Sequence, residues 1–109
     1  MRARIQITAI DLLARVNNMS ERLRIVVRGR VQGVGFRVAA YRKAIDLGLR
    51  GWVRNMPDGR VEMEVQGAPD RIRDMQVWCH NGPALARVDE VLTFPGDTGN
   101  AYAAFEIRS

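Results

Sequence analysis

Three glycines, Gly29, Gly33 and Gly35, stand at the one point where the sequence changes period. Before them Leu23, Ile25 and Val27 alternate with Arg22, Arg24, Val26 and Arg28, the period-2 pattern of a strand with one buried face. After them Phe36, Ala40, Ala44 and Leu47 recur at helical spacing, and Gly48 is placed to end the helix. A chain that switches period across so short a glycine-rich stretch is constrained to a strand, a tight turn and a helix.

The remaining elements extend this unit. Arg50–Met56 reads as a second strand, and Asp58-Gly59 is the strongest hairpin signal in the chain. Arg60–Gln66 returns, with Val61, Met63 and Val65 facing one way and Glu62 and Glu64 the other. Pro69 suits the first turn of a second helix, which runs to about His80 with Ile72, Met75 and Cys79 as its apolar stripe. Asn81-Gly82-Pro83 breaks it, Arg87–Phe94 is a further strand, and Tyr102–Arg108 is a short last one. The order is β-α-β-β-α-β with a short fifth strand. It predicts an α+β fold: an antiparallel sheet with both helices on one face.

At 109 residues the chain suits one domain. No apolar run reaches the ~20 residues of a membrane-crossing helix. One cysteine, Cys79, and one histidine, His80, leave a zinc, haem or iron–sulfur centre almost without ligands. Residues 1–18 read differently from the rest. Gln6 and Asp11 interrupt the apolar run a secretory signal needs, and the match to a mitochondrial targeting peptide is poor. Met19 opens a stretch that reads as a complete domain. We therefore expect a cytoplasmic protein with a dispensable N-terminal extension, 1–18, and one domain, 19–109.

Charge is unevenly spread. Residues 22–60 hold ten Lys/Arg against Asp46 and Asp58, a net +8; residues 61–109 hold four Arg against eight acids, a net −4. This asymmetry fits a nucleic acid, a small phosphate compound or merely a solvated basic surface, and charge does not choose among them.

The glycine loop narrows the choice. Glycines let successive backbone N–H groups converge into an anion-binding nest, and a helix start adds its own unpaired N–H groups. Arg37 falls in the first helical turn, where a cation opposes the helix dipole. A small tetrahedral anion such as phosphate would offset that cost. The loop is neither of two common phosphate motifs. It lacks the Gly-Lys-Ser/Thr of a P-loop, and the dinucleotide fingerprint needs glycine where Val38 stands. A glycine turn alone is more often a turn without a ligand. Asn55, just before the Met56-Pro57-Asp58-Gly59 turn, is by itself more often a turn cap, although its amide can also hold a water for attack.

Together the motifs are specific. Gly29-x-Val31-Gln32-Gly33-Val34-Gly35-Phe36-Arg37, then Gly51-Trp52-Val53-x-Asn55-x-x-Asp58-Gly59, with Gly82-Pro83-x-x-Ala86-x-Val88 and Phe105-x-Ile107 later, resemble the acylphosphatase family over about residues 19–109. The resemblance implies a ferredoxin-like α/β sandwich. It also implies a hydrolase of the carboxyl–phosphate anhydride in small acyl phosphates. By motif match, Arg37 is the phosphate-binding catalytic arginine and Asn55 positions the water. The backbone N–H groups of Arg30, Val31, Gln32, Gly33, Val34 and Gly35 form the phosphate cradle. Met56 stands where some members carry a hydroxyl residue. No cofactor or metal is implied, and a monomer is.

Two other functions stay in view. An accessory module could bind or deliver an acyl or carbamoyl phosphate, since related domains occur inside larger carbamoyl-transfer proteins; we expect a free-standing hydrolase instead. An RNA-recognition domain shares the element order but needs aromatics on its sheet, and the strand Arg60–Gln66 has none, so no nucleic-acid partner is expected. His80, Cys79, Trp52 and Trp78 are read as structural, and Tyr41 and Arg42 as helix surface.

Overall fold

The computed structural model describes residues 21–109; the expected extension, 1–18, lies outside them. Strand β1 (Glu21–Arg30) is followed by helix α1 (Phe36–Asp46), strands β2 (Arg50–Asn55) and β3 (Val61–Gly67), helix α2 (Pro69–Cys79), and strands β4 (Arg87–Pro95) and β5 (Phe105–Arg108). The sheet order is β4-β1-β3-β2-β5. β1 pairs antiparallel with β3 and β4, and β2 pairs antiparallel with β3.

The last strand corrects the expected antiparallel sheet, because β5 runs parallel to β2. The reason is connectivity. β4 runs opposite to β1 and therefore opposite to β2. The chain leaves β4 at one end of the sheet and enters β5 from that same end, so β5 runs opposite to β4 and along β2. The sheet is mixed. β5 also starts later than expected, since Tyr102 is used elsewhere: its backbone N–H donates to Gln66 Oε1 at 2.8 Å and its hydroxyl to Glu64 Oε1 at 2.6 Å.

Both helices cover one face. Ile25, Val27, Val53, Val61, Met63 and Val65 of the sheet meet Phe36, Ala40 and Ala44 of α1 and Ile72, Met75 and Cys79 of α2 in one core. These are the apolar positions that the two periodicities select. Phe36 and Trp78 pack ring to ring at 5.4 Å. Burial pushes the Cys79 thiol up to about 12, as suits a core residue. Gly48 closes α1, with Gly48 N–H donating to Ile45 O at 3.0 Å and Leu49 N–H to Ala44 O at 2.9 Å, the paired bonds of a Schellman ending.

The other face is less open than the alternation predicts. Glu62 and Glu64 point away from the core but are only 4% and 3% exposed. Arg24 and Arg54 close over Glu62. Glu64 is covered by the segment between β4 and β5, accepting from Asp97 N–H at 3.1 Å as well as from Tyr102. Aromatic rings do stand on this face, each beneath a guanidinium: Tyr102 under Arg22 at 4.8 Å, Phe94 under Arg24 at 5.2 Å and Trp52 under Arg108 at 4.9 Å.

Candidate active site

The site is built where β1 ends. Val31, 1% exposed, anchors the loop in the core. Gly33 and Gly35 follow with φ of 73° and 79°, left-handed values that glycine adopts without a Cβ penalty. Gly35 caps α1 with no side-chain hydrogen bond, and the first helical turn carries no acid. Among the described residues, no carbonyl accepts a hydrogen bond from the backbone N–H groups of 32–38. Such unpaired N–H groups are an anion-binding element.

A pocket of about 130 Å³ lies against this loop, lined by Val31, Gly33, Gly35, Phe36, Arg37, Val38 and Asn55. Three elements supply it: the loop, the first turn of α1 and the end of β2. Arg37 reaches across to β5, its Nη1 donating to Arg108 O at 3.1 Å. Among the described residues no carboxylate pairs with Arg37. Two larger hollows differ in this respect. In one, of about 500 Å³, Arg22 is committed to the carbonyls of Asp97, Gly99 and Asn100. In the other, of about 310 Å³, Arg28 is paired with Glu90 and Arg60 with Asp58.

Asn55 is the last residue of β2, in register with Val61. The turn beyond it is fixed from two sides. Gln32 Nε2 donates to Met56 O at 2.8 Å and to Arg60 O at 2.9 Å, tying the glycine loop to the hairpin. Arg60 donates through its side chain to Asp58, which holds the Asp58 carboxyl below its ordinary value and raises Arg60. Behind Asn55, Arg54 Nε donates to Glu62 Oε1 at 2.6 Å. Burial alone would raise the Glu62 carboxyl, but the hydrogen bonds from Arg54 and Arg24 outweigh it and hold it below the usual carboxylate range.

Of the residues singled out in the sequence, Val31, Gly33, Gly35, Arg37 and Asn55 meet at one pocket, whereas Arg30, Gln32 and Val34 do not line it. Arg30 is exposed at the end of β1, and Val34 packs against the core. Gln32 turns its side chain to the hairpin. Sequence reasoning missed Val38 in the wall and the carbonyl of Arg108 as partner to Arg37. Val38 follows Arg37 directly, and adjacent helical positions do not share a face, so helical spacing gave no signal for the first; a backbone acceptor carries no residue-type signal. Among the described residues no three His, Cys, Asp or Glu are gathered as a metal-holding group.

Two helices on one face of this five-stranded sheet, with a pocket at the first strand-to-helix turn, define a ferredoxin-like α+β domain. The Acylphosphatase family model matches residues 23–107, so the chain belongs to the acylphosphatase family, whose members are hydrolases. A relative named acylphosphatase from Anaeromyxobacter dehalogenans is 53% identical over 87 residues, spanning 80% of this chain and 94% of that one. The acylphosphatase structure from Coxiella burnetii superposes with a TM-score of 0.79 at 34% identity, covering 84% of this chain and 96% of its own. That from Bacillus subtilis gives 0.77 at 33%, covering 81% and 98%.

Proposed function

We propose that this chain hydrolyses the carboxyl–phosphate anhydride of small acyl phosphates to a carboxylate and inorganic phosphate. What carries this reading is the meeting of Arg37, unpaired by any described carboxylate, with Asn55 and the glycine loop at one pocket. The phosphoryl group sits in the cradle of backbone N–H groups from Arg30 to Gly35, against the Arg37 guanidinium. Asn55 holds a water in line with the phosphorus. The water oxygen bonds to phosphorus as the phosphorus–oxygen bond to the acyl group breaks. The carboxylate leaves with that electron pair, and the water's proton passes to a phosphoryl oxygen.

A carboxylate is a weak base and departs without a proton, so no general acid is required. Phosphoryl transfer of this kind is mostly positioning and charge stabilisation. One well-placed donor contributes about 3 kcal/mol to that stabilisation. The test is release of one phosphate per acetate from acetyl phosphate with a chelator present. A folded protein that releases none refutes the reading.

The same proposal carries a cytoplasmic monomer with no nucleic-acid partner, supported by membership of the family. It also carries a domain of 19–109 with a dispensable extension, supported by a family match that begins at residue 23.

A further inference from the structure

Helix α1 carries an apolar stripe on its outer side. Val38 is 48% exposed, Tyr41 36% and Ile45 50%, spaced three and four residues apart and so on one face. β5 adds Ile107, 42% exposed. Two contacts align the helix with this strand: Arg37 donates to the carbonyl of Arg108, and the Tyr41 ring lies 6.3 Å from that of Phe105. They bracket Val38 and Ile107. Ile107 is in register with Val53, which is fully buried on the helix side, so Ile107 stands on the same side of the sheet as α1.

Val38 joins this surface to the pocket. Val31 and Phe36 also line the pocket but are 1% exposed, leaving Val38 as the wall residue whose apolar side chain is both exposed and continuous with the stripe. Val38 on α1 and Asn55 at the end of β2 line the same pocket, and β5, which carries Ile107, runs beside β2, so an acyl group leaving the pocket over α1 and β5 meets this surface.

We propose that Val38, Tyr41 and Ile107 form an acyl-binding rim, which selects acyl phosphates with apolar acyl chains over acetyl or carbamoyl phosphate. This rests on the hydrolysis proposed above. The rim grips the part of the substrate that the phosphate cradle does not touch.

Hexanoyl and acetyl phosphate test it, because their carboxylates are nearly equal leaving groups and their ratio of kcat/KM reads the acyl contact. In the wild-type chain the ratio is expected to favour hexanoyl phosphate by about tenfold, given four extra methylenes partly withdrawn from water. In Val38→Ser/Ile107→Ser it should fall to about two- to threefold, while Val38→Leu keeps it. Circular dichroism establishes that each variant is folded, and the ratio cancels any general loss of activity. A wild-type ratio near one overturns the rim, as does a ratio unchanged in the double variant; either leaves hydrolysis standing if acetyl phosphate is still turned over. No phosphate from either substrate with the folded wild type overturns hydrolysis and the rim together.

Discussion

Arg37 is bound at one nitrogen to the carbonyl oxygen of Arg108, 3.1 Å away and 71 residues further along the chain. The last strand thus orients an arginine that the first helix supplies. A guanidinium has five N–H donors, so this bond leaves most of the fork free for an oxyanion. Arg37→Lys retains the charge but not the planar fork. We expect kcat for acetyl phosphate to fall about 100-fold, the scale of one lost transition-state donor. Unfolding in urea should change by less than about 1 kcal/mol, because a single partly exposed hydrogen bond is lost. An unchanged kcat would remove Arg37 from the reaction.

Gln32 acts differently from its neighbours in the loop, since its side chain and not only its backbone has work to do. Its amide holds the carbonyls of Met56 and Arg60, and so fixes the turn beside Asn55. Gln32→Ala should lower kcat about tenfold with little change in KM, because misplacing a positioning group slows the reaction more than it weakens binding. Stability should fall by about 1–2 kcal/mol for the two bonds. Steady-state kinetics and urea unfolding on the same variant separate the two effects.

Two glycines are expected to respond unequally to alanine. A Cβ at Gly35 meets nothing within 4 Å, so Gly35→Ala faces only its positive φ, a cost of about 1–2 kcal/mol. A Cβ at Gly51 lies 1.9 Å from the carbonyl oxygen of Glu64, and β2 and β3 must separate to admit it. Gly51→Ala should therefore cost about 3 kcal/mol or more. Denaturant midpoints of the two variants test the order.

Glu62 makes the fold sensitive to acid. Its carboxyl is depressed in the folded chain, so its stabilising effect is present above the unfolded value near 4.5 and is lost as pH falls through the lower folded value. Thermal melts from pH 7 to pH 3 should show stability dropping below about pH 4.5. Glu62→Gln should flatten that drop and lower stability at pH 7 by about 2 kcal/mol, the scale of a charge-assisted hydrogen bond. A wild-type profile flat to pH 3 would contradict the pairing with Arg24 and Arg54.

Much of the fold was legible because its signals are local. Period 2 at Leu23–Val27, the glycine after Leu47 and Asp58-Gly59 each act within a few residues. The parallel β5 was not legible, since its direction depends on where β4 stops. The burial of Glu62 and Glu64 was not legible either. Alternation marks them as facing outward, and only distant arginines and the segment before β5 cover them. At the pocket, the motifs marked Arg37, Asn55 and the loop. They did not mark Val38 as wall, and nothing local could mark the Arg108 carbonyl.

In the proposed reaction Arg37 and Asn55 act together on an acyl phosphate without a metal. The measurement is acetyl phosphate hydrolysis by the wild type, Arg37→Ala and Asn55→Ala, each shown to be folded, in EDTA. We expect fast turnover by the wild type and losses of about 100- to 1,000-fold in both variants. Turnover that EDTA abolishes and Mg²⁺ restores, or variants as active as the wild type, would contradict it.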